Sequence, residues 1–332
     1  MGMAKRKYSK RSKIEPAVMT LTFATPGSGA ARSYIDLSQV ASLVNRRFYR
    51  QGINWAVAGF KVASQRTGAV NIFKVPNTWV LSNAWEKSMR TWMKMNREAL
   101  AQTESVRPKF LDFKVYMNER HFDSGVANNL LPIDALNQPF APGEWDYSEY
   151  VVPFGPASPG NTSNFAIKWT GANYNGGTDA VVSLIEGYAS SRGLPYSEDP
   201  NTPSDASDAD GSTPENWLSA LQNEGTDQAS EVLGDMITEN NQAPYPYEGD
   251  GTFTDTMYPG GANQGPDLEI HEYAGVSATT IGNVTKLSGS NFQGGLIQIS
   301  NDFVGGESEH LLLVHLVPGT HRGYMCQKMQ DV

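Results

Sequence analysis

The sequence predicts an all-β protein, an antiparallel sandwich with few helices in long loops and insertions, and three observations support this fold class. Short runs in which apolar and polar residues alternate recur along the chain and end at turn residues. The 332 residues include 32 Gly, 19 Pro and 10% aromatics, which favours a turn-rich β protein over a helical bundle. The runs mostly lack helical crossovers, which argues against a parallel sheet. We therefore expect roughly eight to ten strands, with the jelly roll as the leading architecture.

The predicted strands share a period of two in their apolar residues. They cover residues 17–25, 54–63, 69–76, 110–117, 150–154, 165–170, 180–189, 268–274, 294–300 and 310–317. A polar turn that contains Gly separates the second run from the third, which predicts a hairpin. In the last run His310 and His315 lie five residues apart, so they are expected on opposite faces of a strand and cannot easily share a metal.

Two helices are predicted in the first third of the chain. Ser38 caps a short helix, and a loop with three arginines and two aromatic residues follows it. A longer amphipathic helix begins at Ser82 or Asn83. Its Trp and Met stripe is expected to pack into the core. Its opposite face is basic and carries Lys87, Arg90, Lys94 and Arg97.

The charge divides the chain into two unlike halves. Residues 1–120 contain 21 Lys+Arg and 7 Asp+Glu, a balance of +14, whereas residues 121–332 contain 5 and 28, a balance of −23. Two interpretations remain open: two domains of opposite charge, or one body with a cationic and an anionic face that meet different neighbours. We predict a basic flexible arm at 1–15 and a single domain over 16–332. Within that domain, the acidic stretch 193–266 is predicted to be a surface or interface insertion with two short helices, at 214–223 and 227–240.

Residues 5–13 contain six cations among nine residues and cannot be buried without an anionic partner. Together with the arginines after the first helix, they predict a surface that binds single-stranded nucleic acid without sequence preference, with Tyr8, Phe48 and Tyr49 available to stack on bases. A solubilising tail is disfavoured, because added positive charge moves a chain of net charge −9 toward neutrality. The same run also suits a nuclear localisation signal. The candidate binding residues are Lys5, Arg6, Lys7, Lys10, Arg11, Lys13, Arg46, Arg47 and Arg50.

The motifs of several enzyme classes are missing from the sequence. It has no Walker-type Gly-Lys-Ser/Thr loop, no His-Glu-x-x-His and no Gly-x-Ser-x-Gly. Cys326 is the only cysteine, which excludes an internal disulfide framework and a cysteine-based zinc site. No apolar run is long enough for a membrane span, and none follows the N-terminal basic residues as in a secretory signal. We expect no catalytic residues, no metal, no cofactor and no membrane insertion.

Two short blocks resemble the capsid proteins of circular, Rep-encoding single-stranded DNA (CRESS-DNA) viruses. The first, at 183–195, reads Ser-Leu-Ile-Glu-Gly-Tyr-Ala-Ser-Ser-Arg-Gly-Leu-Pro and is followed by Asp199-Pro200. The second, at 315–324, reads His-Leu-Val-Pro-Gly-Thr-His-Arg-Gly-Tyr, and the chain ends in Met-Gln-Asp-Val. A Lys/Arg arm ahead of a β-rich body agrees with the same layout.

The resemblance implies a jelly-roll subunit that self-assembles into a small icosahedral shell around circular single-stranded DNA. The basic arm would lie inside, and the protein would be found in the virion and in the host nucleus during assembly. Its implied partners are copies of itself, the DNA genome, the host nuclear import machinery and an unidentified host receptor. The nine-residue arm is shorter than the Arg-rich arms of circovirus capsids, which favours help from Arg46, Arg47, Arg50 and the basic helix face. The alternatives are a non-viral β-sandwich that binds single-stranded nucleic acid and a disfavoured secreted carbohydrate-binding jelly roll.

Overall fold

The computed structural model describes residues 16–26, 31–101, 111–153, 160–171, 180–192, 267–304 and 310–329. The strands in this part of the chain are β1 (Thr20–Thr25), β2 (Ala31–Asp36), β3 (Ile53–Ala63), β4 (Gly68–Lys74), β5 (Glu149–Pro153), β6 (Thr162–Lys168), β7 (Ala180–Ser183), β8 (Glu269–Val276), β9 (Val284–Phe292), β10 (Leu296–Phe303), β11 (His310–Leu316), β12 (Pro318–Gly319), β13 (Gly323–Tyr324) and β14 (Cys326–Lys328). The α-helices are α1 (Leu37–Asn45), α2 (Trp79–Ala101), α3 (Glu119–Ser124) and α4 (Leu184–Arg192). Short 3-10 turns lie at Val126–Asn128, Ile281–Asn283 and Gln293–Gly295.

Two antiparallel sheets form the body, which confirms an all-β protein of the sandwich type. The first sheet has the order β1-β11-β3-β9, and the short β14 pairs with the start of β3 on the β11 side, since Trp55 has Cys326 of β14 and Phe292 of β9 as partners on its two sides. The second sheet has the order β2-β10-β4-β8. Large apolar side chains from both sheets fill the space between them, among them Phe23, Trp55, Phe292 and Ile299. Because burial of one such side chain contributes about 1.5–3 kcal/mol, this core is the main stabilising feature of the body.

A third layer covers the outer face of the second sheet. It contains the small sheet β5-β6-β7, the helices α2, α3 and α4, and the segments 111–118 and 145–148 that pack beside them, and it has its own apolar cluster. The strands β2 and β10 contribute side chains to both apolar clusters, because neighbouring residues of a strand point to opposite faces of the sheet. Ile35 and Ile297 face the first sheet, whereas Tyr34 and Leu296 belong to the third-layer cluster. The first sheet is left with its outer face open among the described residues.

Pairing and several boundaries differ from the sequence-based expectations. The predicted hairpin of residues 54–63 and 69–76 is wrong, since β3 pairs with β11 and β9 in one sheet and β4 pairs with β10 and β8 in the other. In the predicted strand 110–117, the described residues make a single isolated bridge, between Tyr116 and Lys168. The predicted strand 180–189 is a strand only as far as Ser183, where β7 ends. The helix α4 begins at Leu184, and the spacing of its apolar residues suits a helix.

The helix starts also differ. The cap of α1 is Asp36 rather than Ser38, because the Asp36 carboxylate accepts hydrogen bonds from the first free N–H groups of the helix. The long helix α2 begins at Trp79, ahead of the predicted Ser82 or Asn83. Strands β2 and β9 were not expected from the sequence. The predicted insertion 193–266 lies outside the described residues.

Asp36 is the centre of a buried polar cluster that joins β2, α1 and the third layer. Its Oδ1 accepts from the backbone N–H groups of Ser38 (2.9 Å) and Gln39 (3.3 Å). Its Oδ2 accepts from Gln51 Nε2 (3.2 Å), Tyr147 OH (3.1 Å) and Trp145 Nε1 (3.3 Å). Burial raises the pKa of this carboxyl group, and the hydrogen bonds from Gln39, Ser38, Tyr147 and Gln51 oppose part of that shift.

Gln51 extends the cluster toward the segment before α3. Its side chain donates to Val115 O (3.1 Å) and accepts from Val115 N (2.6 Å), as a paired strand residue would. Its backbone N–H donates to the carboxylate of Asp112 at 3.3 and 3.4 Å. Burial raises the pKa of Asp112 to about 7, while Lys114 opposes the shift. The loop between α1 and β3 is therefore held to the third layer by side-chain hydrogen bonds.

Replacing Asp36 with Ala should strongly destabilise the fold. The change leaves the donors of Gln51, Tyr147 and Trp145 buried without this acceptor and removes the cap of α1. Because a buried unsatisfied donor costs 1–3 kcal/mol, we expect a loss of about 3 kcal/mol or more in the free energy of unfolding by urea. The control Asp302→Ala, at an exposed position of β10, should stay within about 0.5 kcal/mol of the wild type. Equal losses in the two variants would contradict this role for Asp36.

Stability should also fall as the pH rises through neutrality, because of Asp112. Its folded-state pKa of about 7 lies above the unfolded value of 3.8. The protonated carboxyl group therefore stabilises the fold fully below about pH 4, and this contribution is lost as the pH rises through 7. Urea unfolding between about pH 5 and pH 8 should show a smaller decline for Asp112→Asn than for the wild type, with the exposed Asp146→Asn as control. Parallel profiles for Asp112→Asn and the wild type would refute the assignment.

Candidate nucleic-acid interface

The structure places three of the nine predicted binding residues. Arg46, Arg47 and Arg50 lie in the loop between α1 and β3, where Arg46 and Arg50 are exposed and Arg47 is half-buried. Arg46 ends α1 in the left-handed conformation, with φ 53° and ψ 40°. This conformation turns the chain sharply out of the helix. The six cations of the arm, from Lys5 to Lys13, lie outside the described residues.

The first described residues after the arm are fixed beside these arginines. Arg47 Nη1 donates to Pro16 O (3.1 Å), and Val18 N donates to Asn45 Oδ1 (3.0 Å). Tyr324 OH donates to Val18 O (2.7 Å) and accepts from Asn45 Nδ2 (2.7 Å). Three of these hydrogen bonds hold the segment before β1, and the fourth joins two of its partners, Asn45 and Tyr324. Pro16, the first described residue after the arm, therefore lies beside the arginine loop.

The C-terminal turn between β12 and β13 packs against the same loop. Arg322 Nη1 donates to Phe48 O, and Tyr49 OH donates to Arg322 O (2.9 Å). Arg322 itself adopts a left-handed conformation, with φ 50°. Sequence reasoning gave Arg322 no binding role, because about 270 residues separate it from Phe48. Only the fold brings these two segments together.

His321 shows how closely the cations are grouped. Burial lowers the pKa of this histidine, and the positive charges of Arg322, Arg50 and Lys328 lower it further. Cations from three separate segments therefore act on one imidazole. We call Arg46, Arg47, Arg50, Arg322 and Lys328 the cationic patch. Asp112 is a described carboxylate whose charge interacts with this patch, through Arg50.

The outer face of the first sheet extends the positive surface. Its five strands, β1, β3, β9, β11 and β14, contain no Asp or Glu. Lys61 of β3 and Lys286 of β9 lie directly opposite each other in the antiparallel register. A pair of like charges in this position is destabilising, so its presence favours an anionic partner that would relieve the repulsion. Lys328 of the cationic patch is also in this sheet, but its register partner Ile53 faces the core, so Lys328 does not lie on the outer face.

Of the aromatic residues predicted to stack on bases, Tyr49 is not available. It is fully buried in the core, with ring centroids 5.8 Å from Trp55 and 5.6 Å from Tyr324. Phe48 is half-buried in the loop, and Tyr8 lies outside the described residues. The expectation for Tyr49 failed because its apolar ring contributes more as core than as exposed surface. The described part of the candidate interface therefore consists mainly of charged side chains.

The basic face of α2 is partly occupied by contacts within the protein. Arg90 Nε donates to Glu86 Oε1 at 2.6 Å, and Lys87 Nζ lies 5.5 Å from the centroid of the Tyr188 ring. Lys94 and Arg97 are exposed. A role for this helix face in nucleic-acid binding stays a prediction.

The described residues give little support to a metal site or a reactive thiol. No group of three His, Cys, Asp or Glu side chains there is arranged to hold a metal ion. The two histidines of β11 point to opposite faces as expected: His310 is buried against Phe303, and His315 Nδ1 lies 3.0 Å from Thr20 Oγ1. Burial raises the pKa of the Cys326 thiol to about 12, which keeps it protonated. None of the described helices is long and apolar enough to cross a membrane.

Comparison with known proteins gave no relative. No protein-family model, no curated protein and no solved structure matches this chain.

Proposed function

We propose that this chain is a viral capsid subunit that assembles into a closed shell and packages single-stranded DNA. The observation that supports this most is the position of the cationic patch, beside the root of the basic arm and at the edge of a sheet whose strands carry no acid. Such a surface attracts a polyanion along its whole length and does not depend on base sequence. The role is structural rather than enzymatic.

The jelly-roll part of the proposal is supported by the strand order. Eight of the nine strands in the two main sheets are β1 to β4 and β8 to β11, and the ninth is the short β14. They pair antiparallel as first with eighth, second with seventh, third with sixth and fourth with fifth. Four nested pairs wound into two facing sheets are the arrangement of a jelly roll. We propose this architecture for residues 16–332, with the segment between β4 and β8 as a large insertion.

Charge suggests how the subunit would be oriented. The open face of the first sheet would line the inside of the shell, together with the arm and the cationic patch. The second sheet lies on the other side of the core, and its acids Glu269, Glu272 and Asp302 outnumber its cations Arg32 and Lys74 outside the buried cluster. This arrangement favours one body with two unlike faces over two domains of opposite charge. In this proposal the arm also serves nuclear import, and the protein resides in the virion and the host nucleus.

Assembly gives the first test. The purified full-length chain should elute at megadalton mass in size-exclusion chromatography and form closed particles in negative-stain electron microscopy. The same surface on a monomer would instead suit a non-viral protein that binds single-stranded nucleic acid. A chain that stays monomeric at high concentration, yet still binds DNA, would therefore replace our proposal with that alternative.

Binding of single-stranded DNA should depend on the arm and the cationic patch in proportion to their charge. Deleting residues 1–13 removes six cations, so the slope of log K against log salt should shrink by about 4, whereas Arg50→Ala should shrink it by about 0.7. Fluorescence anisotropy across a salt series measures both slopes. The matched control is Arg66→Ala, beyond the far end of the eleven-residue strand β3, and it should change the slope less than Arg50→Ala.

The arm deletion also separates binding from assembly. A truncated chain that forms empty particles fits the proposal. An unchanged salt slope in both variants would contradict it. Loss of assembly on deletion would assign the arm a structural role instead.

A further inference from the structure

A polar cavity of about 600 Å³ lies on the outer face of the second sheet and shares no residue with the cationic patch. Arg32 of β2, Phe73 of β4 and Gln298 of β10 reach it from the sheet. The third layer closes it from the other side with Glu119 and Lys168. We call this cavity the side pocket. Its size lies within the usual range for small-molecule sites.

The floor of the side pocket contains a buried lysine. The side chain of Lys168 is 1% exposed, and its Nζ contacts Glu119 Oε2 at 3.3 Å. Glu119 is itself half-exposed, and Glu186 acts on Lys168 only through its charge. An ammonium group has three N–H donors, so two of them have no acceptor among the described residues. A buried charge with so little compensation is costly, which suggests that another group satisfies it.

Gln298 adds a second free donor at the floor. It is 2% exposed, and its Oε1 accepts from Asn118 Nδ2 at 3.1 Å. Its Nε2 makes no hydrogen bond to any described residue. The floor therefore offers N–H groups from two buried side chains and selects a ligand that presents oxygen acceptors.

The rim of the side pocket suits the same ligand. Arg32 and Arg120 are exposed there, and guanidinium groups bind oxyanions through two parallel hydrogen bonds. Three carboxylates (Glu119, Asp123 and Asp267) balance the three cations, so the formal charge of the lining is zero. An anion would be held by hydrogen bonds from N–H groups that point into the pocket, rather than by a net positive charge of the lining. This distinguishes the side pocket from the cationic patch, where charge dominates.

We propose that the side pocket binds a phosphate-type oxyanion. Lys168 and Gln298 donate to it from the floor, and Arg32 and Arg120 donate from the rim. The phosphate group belongs either to free inorganic phosphate, to a mononucleotide or to a nucleic-acid backbone. The proposal is independent of the capsid function, since it rests on different residues.

Isothermal titration calorimetry of the full-length chain with inorganic phosphate tests the proposal. Arg120→Ala and Arg32→Ala remove rim donors at exposed positions and should each weaken binding about tenfold. Lys168→Met removes the floor ammonium at similar volume and should abolish binding. If that variant does not fold, the two rim variants decide the matter. Arg50→Ala, in the cationic patch, is the matched control and should bind phosphate as the wild type does.

Two further ligands identify the source of the phosphate group. Deoxycytidine monophosphate tests a terminal phosphate, and an oligonucleotide without terminal phosphates tests the backbone. Whichever ligand loses affinity with Arg120→Ala but not with Arg50→Ala is the one that uses the pocket. The proposal is overturned if the wild type binds none of the three at millimolar concentration, or if Arg120→Ala and Arg32→Ala bind all of them as well as the wild type.

Discussion

The buried carboxylate of Asp36 is the interaction on which the candidate interface depends. It ends β2, caps α1 and accepts three side-chain donors that reach it from the α1–β3 loop and the third layer. A carboxyl group at this depth is tolerable only because its hydrogen-bond donors are in place, so Asp36 specifies one arrangement of these segments. The loop that follows α1 is therefore held in position at Gln51, directly after Arg50. A surface made of long, flexible arginine side chains obtains its geometry from this rigid base.

The alternation of apolar and polar residues predicted where strands lie better than it predicted which strands pair. The alternating runs of β3, β4 and β11 were found because their core-facing residues repeat every second position. Their pairing was not predictable, since β3 joins β11 across some 250 residues while its neighbour in sequence, β4, enters the other sheet. Strand β9 was missed because most of its residues are polar, and only Leu287 and Phe292 are buried. Such a strand is specified by its neighbours rather than by its own sequence.

In the candidate interface, too, some residues could be predicted from the sequence and others could not. Arg46, Arg47 and Arg50 could be predicted because contiguous cations are visible without a fold. Arg322 and Lys328 could not be predicted, since their place depends on how the C-terminal turn docks. The Lys61–Lys286 pair depends on the register of two strands, and a slip of one residue would move Lys286 to the other face. Tyr49 was wrongly predicted to stack on bases. It lies among arginines in the sequence, but its ring is buried in the core.

The distance in sequence between the two halves of the cationic patch has a consequence for folding. The arginine loop is complete by residue 50, whereas Arg322 and Lys328 belong to the last strands of the chain. Contacts across so long a chain are costly to form, because loop closure costs entropy before the contact returns any stability. The segment after the arm is also held by Tyr324 and by the pairing of β1 with β11, so its position is fixed only when the first sheet has closed. The complete cationic patch therefore forms only after the first sheet has closed.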